Sequence, residues 1–269
     1  MTTHLGRFAR YVALGDSQTE GLNDGDPEQG YRGWADRFAD QLAEVNPDLV
    51  YANLAVRGCR ARHVRHHQLP AALALEPDLA SVVVGMNDML RHDYDLEETV
   101  REVEETFEAL VSSGATVLTM TFPNVARMLP MMGWLLPRQR MLNARITAAA
   151  GRHGVPVLDL FTSGLTGDPR IWSHDRIHGS TLGHTRIASG AAELVGLPGS
   201  DGSWTEPIAD PVADTLFDVL RREVHWAATF VVPFLHRQLT GRSSGTGRTA
   251  KRPLLELVRG SALLGQHHG

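Results

Sequence analysis

The chain holds one cysteine, Cys59, so no intramolecular disulfide can form. That suits a reducing compartment. No stretch approaches the roughly 18 consecutive apolar residues of a membrane span. The longest candidate, Trp226 to Leu235, is about half that length and contains Pro233. The N-terminal stretch Met1 to Arg10 is short and polar, and no secretory signal is visible. A cytoplasmic location is the expectation. Cationic charge is also scarce in the body of the chain. From His236 onward there are six Lys/Arg and one Glu, a local +5 within an overall −5, which leaves −10 on the remainder. An acidic body argues against a nucleic-acid-binding domain. The basic tail is either a solvated terminus or a surface that meets an acidic membrane or partner. What is present is ordinary for a globular protein: 269 residues, 42% hydrophobic and 21% charged, enough for a sizeable core without staples.

Short apolar runs alternate with helical periodicity. Tyr11 to Leu14, Val50 to Val56, Leu79 to Val84, Ala115 to Thr121 and Val155 to Leu160 read as strands. Between them, Trp34, Phe38, Leu42 and Val45 recur at helical spacing before Pro47, and Leu69 to Leu75 reads as a helix ending before Pro77. Leu96, Val100, Val103, Phe107, Leu110 and Val111 form one stripe, with Asp95 as N-cap and Gly114 as C-cap. Gln139 to His153 and Thr181 to Val195 complete the helices. Strands alternating with helices predict a three-layer α/β/α domain around a parallel sheet of about five strands, within residues 1–198. Residues 199–269 read as a Gly/Pro/Ser-rich linker, an apolar helix (Leu216, Leu220, Val224, Ala227, Val231) and a basic, flexible tail.

In such sheets, sites form at the carboxyl ends of strands, and four short motifs fall there. Gly15-Asp16-Ser17 follows the first strand; alone, Ser17 reads as readily as a turn or cap serine. A serine nucleophile needs a base. Asp175-x-x-His178 supplies an acid and an imidazole that can lie side by side on a turn. Alternatively, His178 caps the next helix, or pairs with His174 and His184 on a metal. Gly58 ends the loop after the second strand, and Asn87 lies in Gly85-Met86-Asn87-Asp88 after the third. Both can donate to an oxyanion; separately, each also reads as a plain turn or cap residue.

Taken together, these motifs resemble the SGNH (GDSL) hydrolase family, named for its Ser, Gly, Asn and His. Ser17, Gly58, Asn87 and His178 match those positions, and Asp175 matches the family's acid. The resemblance covers about residues 10 to 196 and implies a flavodoxin-like fold. It also implies ester or thioester hydrolysis through an acyl-serine, with an oxyanion held by Ser17, Gly58 and Asn87 and with no cofactor or metal. One departure is that the first block reads Gly-Asp-Ser-Gln, so packing behind Ser17 is expected to differ. The run Ser17 to Gly21 with Tyr31 to Ala35 is similar to a bacterial, actinobacterial branch.

Other residues compete for attention. Cys59 adjoins Gly58 but lacks a Cys/His pattern and reads as inert, although a thiol reagent there is expected to obstruct the site. Asp159, at a strand end, rivals Asp175 as acid. His63, His66 and His67 read as an exposed loop and helix start rather than a metal site. The loop Asn124 to Pro137 is unusually apolar. Met128, Met132, Trp134 and Leu135 are candidate substrate-binding residues, forming an acyl-pocket wall, a lid or a short packed helix. The expected substrate is a small-molecule or lipid-like ester. The C-terminal apolar segment is an interfacial anchor making weak membrane-surface contact, a dimer surface, or a helix folded over the domain.

Overall fold

The apolar runs do not alternate in the half-buried manner of an exposed sheet; they are continuous, and a continuous run needs cover on both faces. In the computed structural model, which describes residues 8–26, 30–209, 226, 245 and 247–258, they become β1 (Arg10–Gly15), β2 (Val50–Asn53), β3 (Leu79–Val83), β4 (Thr116–Met120) and β5 (Val157–Leu158). All pair in parallel. The order 2-1-3-4-5 is flavodoxin-like, and it changes direction between β1 and β3. A cleft must open where the two connections leave β1 and β3 on opposite sides, and the candidate site lies there.

Helices α1 (Trp34–Val45), α2 (Leu69–Ala74), α3 (Leu96–Ser112), α4 (Leu136–Arg152) and α5 (Thr181–Leu194) cover the sheet. α1 packs on α5, and α3 packs on α4 and α2. The apolar stripe of α1 buries Trp34, Phe38 and Leu42 completely or nearly so. Burial of such side chains contributes about 1.5–3 kcal/mol each. Phe38 meets Tyr11 of β1 edge-on at 5.2 Å, and Tyr11 stacks on Tyr51 of β2 at 5.0 Å. Asp95 caps α3 by accepting the Glu98 N–H at 3.0 Å, and Gly114 follows in the left-handed region.

Several expected boundaries move for local reasons. β2 stops at Asn53 because that side chain accepts the Ala55 N–H at 3.1 Å and turns the chain. β5 is two residues long, with Pro156 before it and the Asp159 turn after it. α4 begins at Leu136, not Gln139, because Pro137 sits in the first turn, where a missing N–H costs nothing.

The larger correction concerns the tail. Residues Arg252–Leu257, expected to be flexible, form β6, an antiparallel sixth strand on the β2 edge. Pro253 fits this outermost position, where one ladder donor is dispensable. Lys251 fixes the strand's start: its Nζ donates to Glu20 O at 2.7 Å, Tyr31 O at 2.8 Å and Asp36 Oδ2 at 2.6 Å. Of the expected apolar helix after the linker, only Trp226 lies among the described residues. No helix among the described residues is long and apolar enough to cross a membrane.

Candidate active site

β1 ends at Gly15, whose φ is +154°. A Cβ there would lie 2.5 Å from Val83 O at the end of β3. Only glycine permits this approach. Gln68, fully paired, clamps the same residue: its Oε1 accepts Gly15 N–H at 2.8 Å and its Nε2 donates to Gly15 O at 2.9 Å. The chain then enters a single helical turn, Ser17–Glu20, capped by Asp16. Ser17 therefore stands at the rim of the sheet on a fixed backbone.

The loop before α5 faces it. Ser17 Oγ lies 2.8 Å from His178 Nε2, and His178 Nδ1 lies 2.6 Å from Asp175 Oδ2. With Nδ1–H donated to the carboxylate, Nε2 is the acceptor for the serine proton. Asp175 Oδ1 accepts the N–H groups of Ile177 and His178 and the Ser173 hydroxyl, at 2.8–3.0 Å, and Asn23 Nδ2 donates to Oδ2 at 2.6 Å. Burial alone would raise the Asp175 pKa. The hydrogen bond and charge of His178 and these backbone donors outweigh it and hold the carboxyl well below its ordinary range. The structure thus brings Ser17, Asp175 and His178 together as expected. Asp159 is engaged elsewhere, accepting from Thr121 Oγ1 and the Phe161 N–H.

The departure at Gln18 has a physical reading. Its Nε2 donates to Ile177 O at 2.7 Å, joining the Ser17 turn to the histidine loop. A leucine at this position has no donor to make that bridge.

Gly58 (φ +74°) occupies a turn closed by Cys59 N–H to Val56 O at 3.2 Å. The N–H groups of Ser17 and Gly58 make no hydrogen bond among the described residues, which leaves both available to a ligand. Glu20 and Arg57 form a buried ion pair, and Glu20 also accepts the Arg57 N–H at 2.7 Å. The Gly58 loop is thereby tied to the Ser17 turn. Asn87 is more committed: its Nδ2 donates to Asp16 Oδ2 and to Cys59 O, both at 3.0 Å. One of these protons must be shared for Asn87 to serve an oxyanion. Burial pushes the Asp16 carboxyl up to about 7, against the Gln18 N–H and the charge of His178.

Ser180, not His178, caps α5, accepting the Gly183 N–H at 3.2 Å. His184 is fully buried and accepts the Trp34 N–H on Nδ1 at 3.1 Å. Burial pulls its pKa down to about 3. Among the described residues no cluster of three metal-type ligands occurs. His63 and His67 stack on one another at 4.4 Å on an exposed helical turn. Cys59 is buried, and burial followed by the charges of Asp16 and Glu20 pushes its thiol up to about 12. A thiol held protonated reacts more slowly with thiol reagents.

A cavity of about 540 Å³ opens beside Ser17 and His178. Met120, Phe122, Val125, Leu129 and Trp172 give it an apolar wall, and Met128 and Met132 of the Met-rich loop join it. Two expected members do not. Trp134 is 68% exposed and off the wall, and Leu135 is fully buried in the core. The cause is the helical geometry of this loop, a turn at Val125–Met128 followed by a 3-10 turn at Pro130–Leu135, which alternates the apolar side chains between cavity, core and solvent. Sequence reasoning missed Gln139 and Asn143 of α4, which hold the segment. Gln139 Oε1 accepts the Val125 N–H at 3.0 Å, and Asn143 Oδ1 accepts the Phe122 N–H at 2.9 Å. Their i, i+4 spacing on an otherwise apolar face was the available signal.

With this geometry in view, comparison with known proteins is decisive at the family level. Residues 13–186 match the GDSL-like lipase/acylhydrolase family. The chain belongs to that family. No curated protein matches it individually. Solved structures with the same fold include LAE5, an alpha/beta hydrolase enzyme from the metagenome of Lake Arreo (20% identity, TM-score 0.60, covering 70% of this chain and 95% of that one). They also include a catalytic mutant of Axe2, an acetylxylan esterase from Geobacillus stearothermophilus (17%, 0.60, 72% and 97%), and TesA (22%, 0.57, 69% and 97%). The family segment ends inside α5, so the GDSL-like assignment does not account for the segments after residue 198 that contact the site.

Proposed function

We propose that this GDSL-like protein hydrolyses carboxylic esters with small to medium acyl chains through an acyl-serine intermediate. The observation that carries the reading is the continuous relay Ser17 Oγ to His178 Nε2 at 2.8 Å and His178 Nδ1 to Asp175 at 2.6 Å. Ser17 Oγ attacks the carbonyl carbon while its proton passes to His178. Asp175 orients the ring and stabilises the imidazolium. The oxyanion is met by the free N–H groups of Ser17 and Gly58 and by the Asn87 amide. Collapse expels the alcohol, which takes the proton from His178. Water, deprotonated by the same imidazole, then attacks the acyl carbon and releases the acid and Ser17. The apolar wall formed by Met128, Met132 and their neighbours supports an acyl chain rather than a sugar or peptide at this end of the cavity.

The test is Ser17→Ala against p-nitrophenyl acetate and butyrate. We expect kcat to fall by about 10⁴-fold or more. A covalent serine probe should map by mass to Ser17. Equal, slow turnover by wild type and variant would sink the reading.

A further inference from the structure

Beyond residue 198 the chain returns to the catalytic cleft. The Trp226 indole N–H donates to Asp175 O at 3.1 Å, and the Arg176 guanidinium lies 4.6 Å over its ring. Gly245 packs so tightly on the Gly58 loop that a Cβ there would lie 2.1 Å from Arg57 O. Arg248, exposed, lines the catalytic cavity itself. None of these C-terminal residues lies in the segment that matches the family.

One guanidinium on the cavity wall, Arg248, has no acid partner among the described residues. Four guanidiniums line it: Arg57, Arg60, Arg91 and Arg248. Glu20 neutralises Arg57. Asp88 and Asp93, each at 3.2 Å, neutralise Arg60. Arg91 reaches only the same Asp93, at 4.0 Å, and its buried Nε has no hydrogen-bond partner among the described residues. Arg248 has no ion pair and no side-chain hydrogen bond among the described residues. Two further acids line the cavity, Asp16, which accepts from Asn87, and Asp175, which is paired with His178. Glu98 and Glu102 belong to an adjoining cavity; Glu102 faces His66 at 3.5 Å and Arg101 at 3.7 Å. Arg57, Gly58, Arg60 and Arg248 line both cavities, whereas Met120, Phe122 and Met132 line only the first. Arg57, Arg60 and Arg248 therefore mark the Gly58 end, whereas Arg91, like the apolar groups, lines the first cavity alone.

We propose that Arg248 forms an alcohol-side subsite that selects esters whose alcohol carries a phosphate. The inference rests on the ester-hydrolase reading above. A guanidinium with free donors binds a phosphate oxygen pair in a fork that a neutral alcohol cannot use. The phosphate itself takes no part in bond changes: the ester C–O bond breaks, and the alcohol leaves with its phosphate intact and a proton from His178.

The test uses the full chain and two monomeric esters that differ only in the phosphate, lauroyl-lysophosphatidic acid and monolaurin. Wild type should prefer the phosphate ester in kcat/KM by about 10-fold or more, and the preference should shrink between about 0.05 and 0.5 M salt. Arg248→Gln should raise KM for the phosphate ester by about 10- to 100-fold and leave monolaurin within about threefold. Arg248→Lys should retain part of the preference. Glycerol 3-phosphate should compete with p-nitrophenyl butyrate in wild type and compete less well in Arg248→Gln. Equal wild-type rates on the two esters, or a loss in Arg248→Gln shared by both, overturns the subsite and leaves the hydrolase standing. Failure of wild type on both esters and on p-nitrophenyl butyrate overturns the hydrolase reading instead.

Discussion

Asp16 is the residue whose chemistry is least comfortable. It is buried beside Ser17, and its carboxyl is pushed up to about 7. In the folded state it keeps a proton that an unfolded carboxyl gives up near pH 4. Its contribution to stability is therefore fully present below about pH 4 and is lost as pH rises through about 7. Asp175, held low, works in the opposite sense: its contribution is present above the ordinary carboxyl range and lost on acidification. Asp16→Asn should accordingly flatten the decline of stability between about pH 4 and pH 7, by about 2–4 kcal/mol in urea-unfolding series. It should also cost activity. In that variant, an amide that still accepts the Gln18 N–H turns its own NH₂ toward Asn87 Nδ2, where two donors repel. We expect kcat to drop by about 10- to 1,000-fold with KM little changed. An unchanged kcat would mean that Asp16 does not position Asn87. The Ser17, Asp175 and His178 relay was legible in the sequence because its acid and base are three residues apart on one turn. The clamp of Gln68 on Gly15 and the bridge from Gln18 to Ile177 were not, because an amide bonding a distant backbone leaves no periodicity or spacing to read.

At the scale of elements, the segment between β4 and α4 forms much of the cavity's apolar wall. It is held by Gln139 and Asn143, so it is a fixed wall made of adaptable side chains rather than a free flap. Met132 is partly buried and lines the cavity with Met128 and Leu129. Met132→Trp should shorten the acyl space without touching the relay. The kcat/KM ratio for laurate over butyrate p-nitrophenyl esters should fall by about 10-fold, with butyrate within about threefold of wild type. An unchanged ratio would place the acyl chain elsewhere. The sequence marked this loop by its composition but not by its shape. Helical turns that send Met132 to the cavity, Leu135 to the core and Trp134 to solvent carry no repeat long enough to set a phase. The long amphipathic helices α1 and α3 were readable for the converse reason, several turns of one stripe.

At the scale of the molecule, the tail is part of the sheet. β6 covers the β2 edge, Lys251 joins it to the turn after Ser17 and to α1, and Val258 is buried behind it. A six-residue strand with a proline, set among Gly, Ser and Arg, has too few alternating positions to stand out from a mobile terminus. Its location becomes intelligible only once β2 is seen to be an edge that needs covering. Ending the chain at residue 250 would uncover that edge and leave the Asp36 carboxylate and the Glu20 and Tyr31 carbonyls without the ammonium they share. Each lost charged hydrogen bond is worth about 1.5–3 kcal/mol, and each kcal/mol corresponds to about 2–4 °C in a domain of this size. The shortened chain should melt at least about 5 °C lower by calorimetry. Lys251→Met in the full chain should account for roughly half of that loss, since it removes the ammonium and keeps the strand. Equal melting temperatures for the full and shortened chains would show that the sheet closes without β6. The tail's contact with the Gly58 loop would then act on substrate choice alone.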